Sequence, residues 1–171
     1  IEYATASFGQ GIALTPIITV RALSALANGG TLITPHLVKE IKYKLGPTKI
    51  MLYPEMDERK RVLSPETSAE ISRMLTEVVD RSLRNGQVRL ENYSIAAKTG
   101  TAQIPKKESG GYEEDAHIGS FAGLVPGDKP QFAMLVKLDR PTNVEFAESS
   151  AAPTFGEVAS YLLQYYHIPK E

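Results

Sequence analysis

Apolar residues recur at spacings of three and four between Ser64 and Leu83, at Ile71, Met74, Leu75, Val78, Val79 and Leu83. That is the period of a helix with one face turned inward. Ser64-Pro65 supplies its N-cap and first helical residue, and Asn85-Gly86 is the expected stop. Thr15-Pro16 opens a second helix by the same rule. It runs through Ile, Leu and Ala residues to Ala27, ends at Asn28-Gly29-Gly30, and is expected to be short and buried. After Pro153, the positions Phe155, Val158, Ala159, Leu162, Leu163 and Tyr166 mark a last amphipathic helix, stopped by Pro169. Tyr161, Tyr165 and Tyr166 cluster on it and are read as packing residues with polar tips.

Elsewhere the apolar pattern is that of strands. "YSIAAKTGTAQI", "HIGSFAGLVP" and "PQFAMLVKLD" predict three, the last two forming a hairpin through a turn at Gly127-Asp128. The nearly continuous apolar run from Phe132 to Val136 predicts a strand covered on both faces, while Gly119, Ala122 and Gly123 leave room for a close neighbour. "HLVKEIKYKL" and "KIMLYP", broken by Gly46-Pro47 and Pro54, predict peripheral ribbons. The polar stretch from Pro105 to Asp115, containing Gly110-Gly111, is expected to be a mobile loop. With helices over a sheet of sequential strands, the expected class is α+β.

Composition narrows the function. Nineteen Lys plus Arg against twenty Asp plus Glu give a formal net charge of -1, so a nucleic-acid partner is not expected. Cys is absent, which excludes disulfides and thiolate metal sites. His36, His117 and His167 are scattered, so no metal site and no cofactor is assigned. No uninterrupted apolar run approaches the roughly 20 residues of a membrane helix, and the chain begins at Ile1 without a basic-then-apolar leader. It is therefore read as a soluble piece, processed or excised from something longer.

The chemistry is concentrated in "AAKTGTAQ", residues 96 to 103. Strand alternation sets Thr99 and Thr101 to one side, Lys98 and Gly100 to the other. On an edge strand, Gly100 leaves no side chain between ligand and backbone, and Thr101 N–H is free to meet a carbonyl or oxyanion. Two hydroxyls and an ammonium suit a carboxylate. Together they would take an extended, carboxylate-ended peptide laid beside the strand. Gly9-Gln10-Gly11 lacks the following Lys-Ser or Lys-Thr of a phosphate loop and reads as a structural turn. Glu113-Glu114-Asp115 and Lys106-Lys107 read as solvated faces bordering the cleft.

Lys-Thr-Gly is among the signatures of penicillin-binding proteins and class A β-lactamases, and "AAKTGTAQ" resembles its fuller form in class B penicillin-binding proteins of the division and elongation type. "SFGQGIALTPIITVRALSALANGG", "GSFAGLVPGDKPQFAMLV" and the helix from Ala152-Pro153 to "YYHIP" resemble other segments of that transpeptidase domain, in order along the chain. The family's glycine-rich approach to the strand is here "SLRNGQVRLENYSIAAKTG", a departure. The resemblance implies an antiparallel sheet with helices on both faces. Residues 1–171 would form the C-terminal part of a single domain, lacking the N-terminal strands and nucleophile helix. The strand over 131 to 139 would then expose an unpaired edge.

The resemblance also implies the chemistry. A Ser attacks the D-Ala-D-Ala carbonyl of a peptidoglycan stem peptide, and an amine then takes the acyl group, with β-lactams entering as mimics. Lys98 and Thr101 would be catalytic, and Thr99, Gly100, Thr101 and Gln103 would bind substrate. The attacking residue is expected elsewhere, because neither Ser-x-x-Lys nor Ser-x-Asn occurs in residues 1 to 171, and Ser94 is four positions from Lys98 in the same strand. The fragment alone is therefore expected to be inactive, its partners being the rest of the domain, the stem peptide and β-lactams. The implied location is the outer face of a bacterial membrane, with a transmembrane anchor outside this sequence. A β-lactam-sensing receptor domain, a serine β-lactamase and a plain binding module remain as alternatives.

Overall fold

The computed structural model describes residues 2–7, 9–51, 60–83, 88, 90–106, 110–144 and 146–171. Helices α1 (Glu2–Ala6) and α2 (Pro16–Ala27) lead to a ribbon of two-residue strands, β1 (Glu40–Ile41) and β2 (Lys49–Ile50). Helix α3 (Pro65–Ser82) precedes strands β3 (Ala96–Pro105), β4 (Tyr112–Val125) and β5 (Phe132–Asp139). A 3-10 turn at Ala147–Ser149 delivers the chain to α4 (Ala151–Tyr165). The three long strands form an antiparallel sheet in the order β3-β4-β5. Among the described residues β3 and β5 are its two open edges, as expected of the strand over 131 to 139.

Both faces of the sheet are covered where β4 is longest buried. Phe121 is fully buried and meets the ring of Phe155 on α4 edge to face, with centroids 4.8 Å apart. Leu124 points to the opposite face by alternation and is also fully buried. Helices α2 and α3 lie against β5 and β3 respectively. Small residues set how closely α4 approaches: Ala151, Ala152, Phe155, Ala159 and Leu163 form its buried stripe, at helical spacing. Phe132 to Val136 of β5 are half-buried throughout, because that strand has a neighbour on one side only.

The start of α3 is built as its sequence predicts. Ser64 Oγ accepts the Thr67 N–H at 3.1 Å, and Pro65 occupies the first turn, where its missing donor costs nothing. Glu66 is held below the usual carboxylate range by its own backbone N–H first and by the Ser64 hydroxyl second. That is the sign expected of an anion at a helix N-terminus. Ser64→Ala is expected to cost about 1 kcal/mol of stability, read as a lower urea midpoint with unchanged slope. An unchanged midpoint would show that the cap contributes nothing. Asn85-Gly86 lies outside the described residues, and the helix ends at Ser82 with Leu83 as C-cap.

Four expectations change. Helix α2 is not buried: only Ala25 is, while Ile17 and Ile18 are 55% and 47% exposed. Its contact with α3 is polar and lies at its C-terminal end, where Ser68 Oγ donates to Leu26 O at 2.7 Å. The stretch expected as a mobile loop from Pro105 to Asp115 is strand at both ends, because Pro105 closes β3 and Tyr112–Asp115 open β4, while residues 107–109 lie outside the described residues. A register shift lets Pro105 pair with Tyr112, and Lys106 N–H closes on Gly111 O at 3.0 Å. Tyr161, Tyr165 and Tyr166 do not pack inward but are each 62% exposed, with their rings against one another. The last helix begins at Ala151, so Pro153 falls within its first turn, where a proline is tolerated.

Candidate active site

The site begins with what the sequence leaves out. Ala97 sits directly opposite Gly123 of β4, and a Cβ built on Gly123 would lie 2.5 Å from Ala97 Cβ and 2.8 Å from Ala96 O. Ala96 and Ala97 are fully buried. Their small size and Gly123 together draw β3 tight onto β4, which fixes the strand just before it reaches Lys98.

From Lys98 on, β3 is exposed on its free side. The Lys98 ammonium donates to Thr99 O at 3.0 Å and lies 3.2 Å from Thr99 Oγ1. Alternation separates the two side-chain stems, yet the long Lys stem carries its head round to the Thr99 side. Lys98 and Thr99 are thereby brought together, which their positions on opposite faces do not predict. Gly100 has Ser120 directly opposite on β4, and Ser120 Oγ donates to Gly100 O at 3.3 Å. The Gly100–Thr101 peptide is trans, so its C=O and N–H point in opposite directions. With the carbonyl facing β4, Thr101 N–H faces the open edge. An ammonium, a hydroxyl and a free backbone donor are thus gathered along one unpaired strand edge.

Beyond them the edge runs into a cleft of about 900 Å³, lined by Thr101, Gln103, Glu113, His117, Arg140 and Phe146 among others. Arg140 closes one side through a two-pronged pair with Glu113, at 2.7 and 2.9 Å, and its N–H donates to His117 O at 3.0 Å. Glu114 and Asp115 also border this cleft, as expected, but from a strand rather than a loop. His117 Nε2 is buried with no hydrogen-bond partner among the described residues. Neither His117 nor Arg140 was singled out from sequence for this place. The signal was the register that sets Gln103 opposite His117, which spacing alone does not carry.

Ser94 has a structural use. Its hydroxyl accepts the Gly127 and Asp128 N–H groups at 3.0 and 3.2 Å and pairs with a Glu171 carboxylate oxygen at 2.9 Å. That clasp ties the β4–β5 turn and the chain's last residue to the start of β3. Gly9 and Gly11 take positive φ in the turn after α1, where Gln10 N–H donates to Thr5 O. Among the described residues no group of three or more His, Asp or Glu side chains is gathered to hold a metal ion.

Residues 1–160 match the penicillin binding protein transpeptidase domain. The chain belongs to this family. Stage V sporulation protein D of Bacillus subtilis (strain 168) is 41% identical over 162 residues, spanning 92% of this chain and 24% of that protein. Penicillin-binding protein PbpB of Mycolicibacterium smegmatis is 33% identical, over 98% of this chain and 27% of its own length. The chain therefore spans about a quarter of the length of the curated relatives it matches. Among solved structures, penicillin-binding protein 3 of Mycobacterium tuberculosis complexed with ampicillin superposes with a TM-score of 0.85 at 28% identity. The match takes in 99% of this chain and 38% of that one. Its complex with aztreonam gives 0.84. The α+β transpeptidase fold follows from these matches, and the edge strand holding Lys98 to Gln103 lies inside the family match.

Proposed function

We propose that residues 1–171 are the C-terminal part of one transpeptidase domain, in a serine D,D-transpeptidase that cross-links peptidoglycan stem peptides. The observation that carries the proposal is the open edge of β3, where Lys98 Nζ lies beside the Thr99 hydroxyl and Thr101 N–H faces outward past Gly100. An extended peptide laid along that edge gains main-chain bonds from the strand. Its terminal carboxylate meets the hydroxyls of Thr99 and Thr101, and Gln103 lies further along the same strand.

A serine outside residues 1–171 attacks the carbonyl between the two terminal D-Ala residues. Its proton passes to a base, the C–N bond breaks, and D-Ala leaves with a proton. An amine of a second stem peptide then attacks the acyl-enzyme, and the serine hydroxyl is restored. In both steps the tetrahedral oxyanion forms opposite Thr101 N–H, whose donation counts more as negative charge develops there. Lys98 supplies positive charge to the same edge and holds the proton network of the nucleophile. No cofactor is called for.

A β-lactam carries a carboxylate and a strained amide, so it suits the same edge and forms the same acyl bond. The match of residues 1–160 to the penicillin binding protein transpeptidase domain and the similar penicillin-binding protein structures with bound ampicillin and aztreonam favour this reading over a sensor or a hydrolase. The open edge of β5 is where the remainder of the domain completes the sheet. Such an enzyme works outside the cytoplasm, where its substrate is, held by an anchor elsewhere in the protein. No described helix is itself long and apolar enough to cross a membrane.

The test uses the full-length protein and a labelled penicillin. Lys98→Ala is expected to slow acylation at least tenfold, which corresponds to about 1.4 kcal/mol of lost transition-state stabilisation. Acylation of that variant at the unmutated rate would remove Lys98 from the chemistry, and a full-length protein that takes no label would remove the reading altogether.

A further inference from the structure

We infer that Ser120 is a positioning residue for the oxyanion donor, acting through the Gly100–Thr101 peptide from the strand behind it. The inference rests on the transpeptidase reading above. Ser120 is half-buried on β4, and its hydroxyl makes its one hydrogen bond among the described residues, to Gly100 O. A donor on a peptide carbonyl favours the charge-separated resonance form of that peptide. The N–H at its other end becomes a stronger donor, as in any chain of coupled hydrogen bonds. Here that N–H is Thr101, the group directed at the open edge. The same bond fixes the rotation of the peptide plane, and so the direction in which the N–H points. An oxyanion donor has to be aimed before the charge appears.

The surroundings show that the space is kept for this contact. A Cβ on Gly100 would sit 2.7 Å from Ser120 Oγ, closer than atoms approach without a bond. The absence of a side chain at Gly100 therefore makes room for the Ser120 hydroxyl to reach the carbonyl. A strand that needed only an open edge would be satisfied by any small residue on β4, and Ala122 and Gly123 nearby show that the strand uses such residues.

Three variants of the full-length protein separate this from packing, each followed by acylation with a labelled penicillin over a range of concentrations. Ser120→Ala removes the donor. Ser120→Cys fills nearly the same space with a weak S–H donor. Ser120→Thr keeps the hydroxyl. The Ala and Cys variants are expected to lower the limiting acylation rate about fivefold, the worth of one net hydrogen bond of roughly 1 kcal/mol. The concentration giving half the limiting rate should stay unchanged, and Thr should restore the rate. A Cys or Ala variant that acylates at the unmutated limiting rate overturns the inference. So does a loss confined to the half-saturating concentration, which would assign Ser120 to ligand binding. If Ser120→Ala does not fold, the Cys and Thr pair decides by the same measure. An unmutated protein that takes no label fails the transpeptidase reading itself, a result distinct from any difference between the variants.

Discussion

Replacing Gly30 with Ala is expected to lower the thermal unfolding midpoint by roughly 4–20 °C, since its Cβ would meet the tightest clash of any described glycine. Two effects add. Gly30 has φ +92°, where a β-carbon costs about 1–2 kcal/mol of backbone strain. The added Cβ would also lie 2.0 Å from Leu63 O and 2.6 Å from Leu63 C. Those are main-chain atoms just before the N-cap of α3 and cannot swing aside. Overpacking of this kind costs about 1–3 kcal/mol, giving roughly 2–5 kcal/mol in all, and each kcal/mol moves the midpoint about 2–4 °C in a chain of this length.

The position matters because it joins two helices. Gly30 N–H donates to Ala25 O at 2.7 Å and closes α2, while Gly30 O accepts from Val62 N–H at 2.7 Å and from Leu63 N–H at 3.3 Å. Those bonds hold the end of one helix against the start of the next. Gly29→Ala is the control, since it has φ +74° but no atom nearer than 3.8 Å to its Cβ. It should lose only the strain, a few degrees. Equal effects at the two positions would show that the close approach to Leu63 is not what Gly30 provides.

The elements that strong periodicity marked are the ones the structure contains. Helix α3, the three long strands and α4 each form where their periodicity puts them, but burial follows the pattern only in part. On α3 Val79 is buried with Ser68 and Ser72 while Met74 is exposed, and on α4 Phe155, Ala159 and Leu163 are buried while Val158 is exposed. The misses have a common physical origin. Tyr112–Asp115 are largely charged and look like loop, yet they belong to β4, with Tyr112 opposite Pro105 and Lys106 N–H bonded to Gly111 O beside it, and main-chain bonds are indifferent to side-chain polarity. Helix α1 is five residues long, too short for a period to register. The apolar residues of α2 and the three tyrosines of α4 read as inward-facing because hydropathy reports only a preference for burial. Whether a surface is there to bury them is a property of the tertiary fold. At the site, Lys98, Thr99, Gly100, Thr101 and Gln103 were legible because the strand carries them consecutively. Ser120 and His117 were not, since each is placed by cross-strand register and sits 20 and 14 positions from its partner on β3.

Thr101→Pro in the full-length protein should slow acylation by penicillin about 10²- to 10³-fold, the effect of deleting one oxyanion donor. Proline normally breaks a sheet by removing a ladder donor, but it is tolerated on an edge strand where the lost N–H faces outward. That is the case at Thr101, because the carbonyl of the same peptide faces β4 and takes the Ser120 hydroxyl. The residue before a proline is pushed to extended backbone, which Gly100 already has as part of β3. The substitution should therefore leave the sheet in place, with an unfolding midpoint within a few degrees of the unmutated protein. Thr101→Ala keeps the N–H and loses the hydroxyl. It should weaken the carboxylate contact and raise the half-saturating penicillin concentration, with a much smaller change in the limiting rate. The two variants thus divide one residue into its backbone and side-chain roles. If the Pro variant acylates within about tenfold of the unmutated rate while remaining folded, Thr101 N–H is not the oxyanion donor, and the open edge of β3 binds substrate without stabilising the reaction.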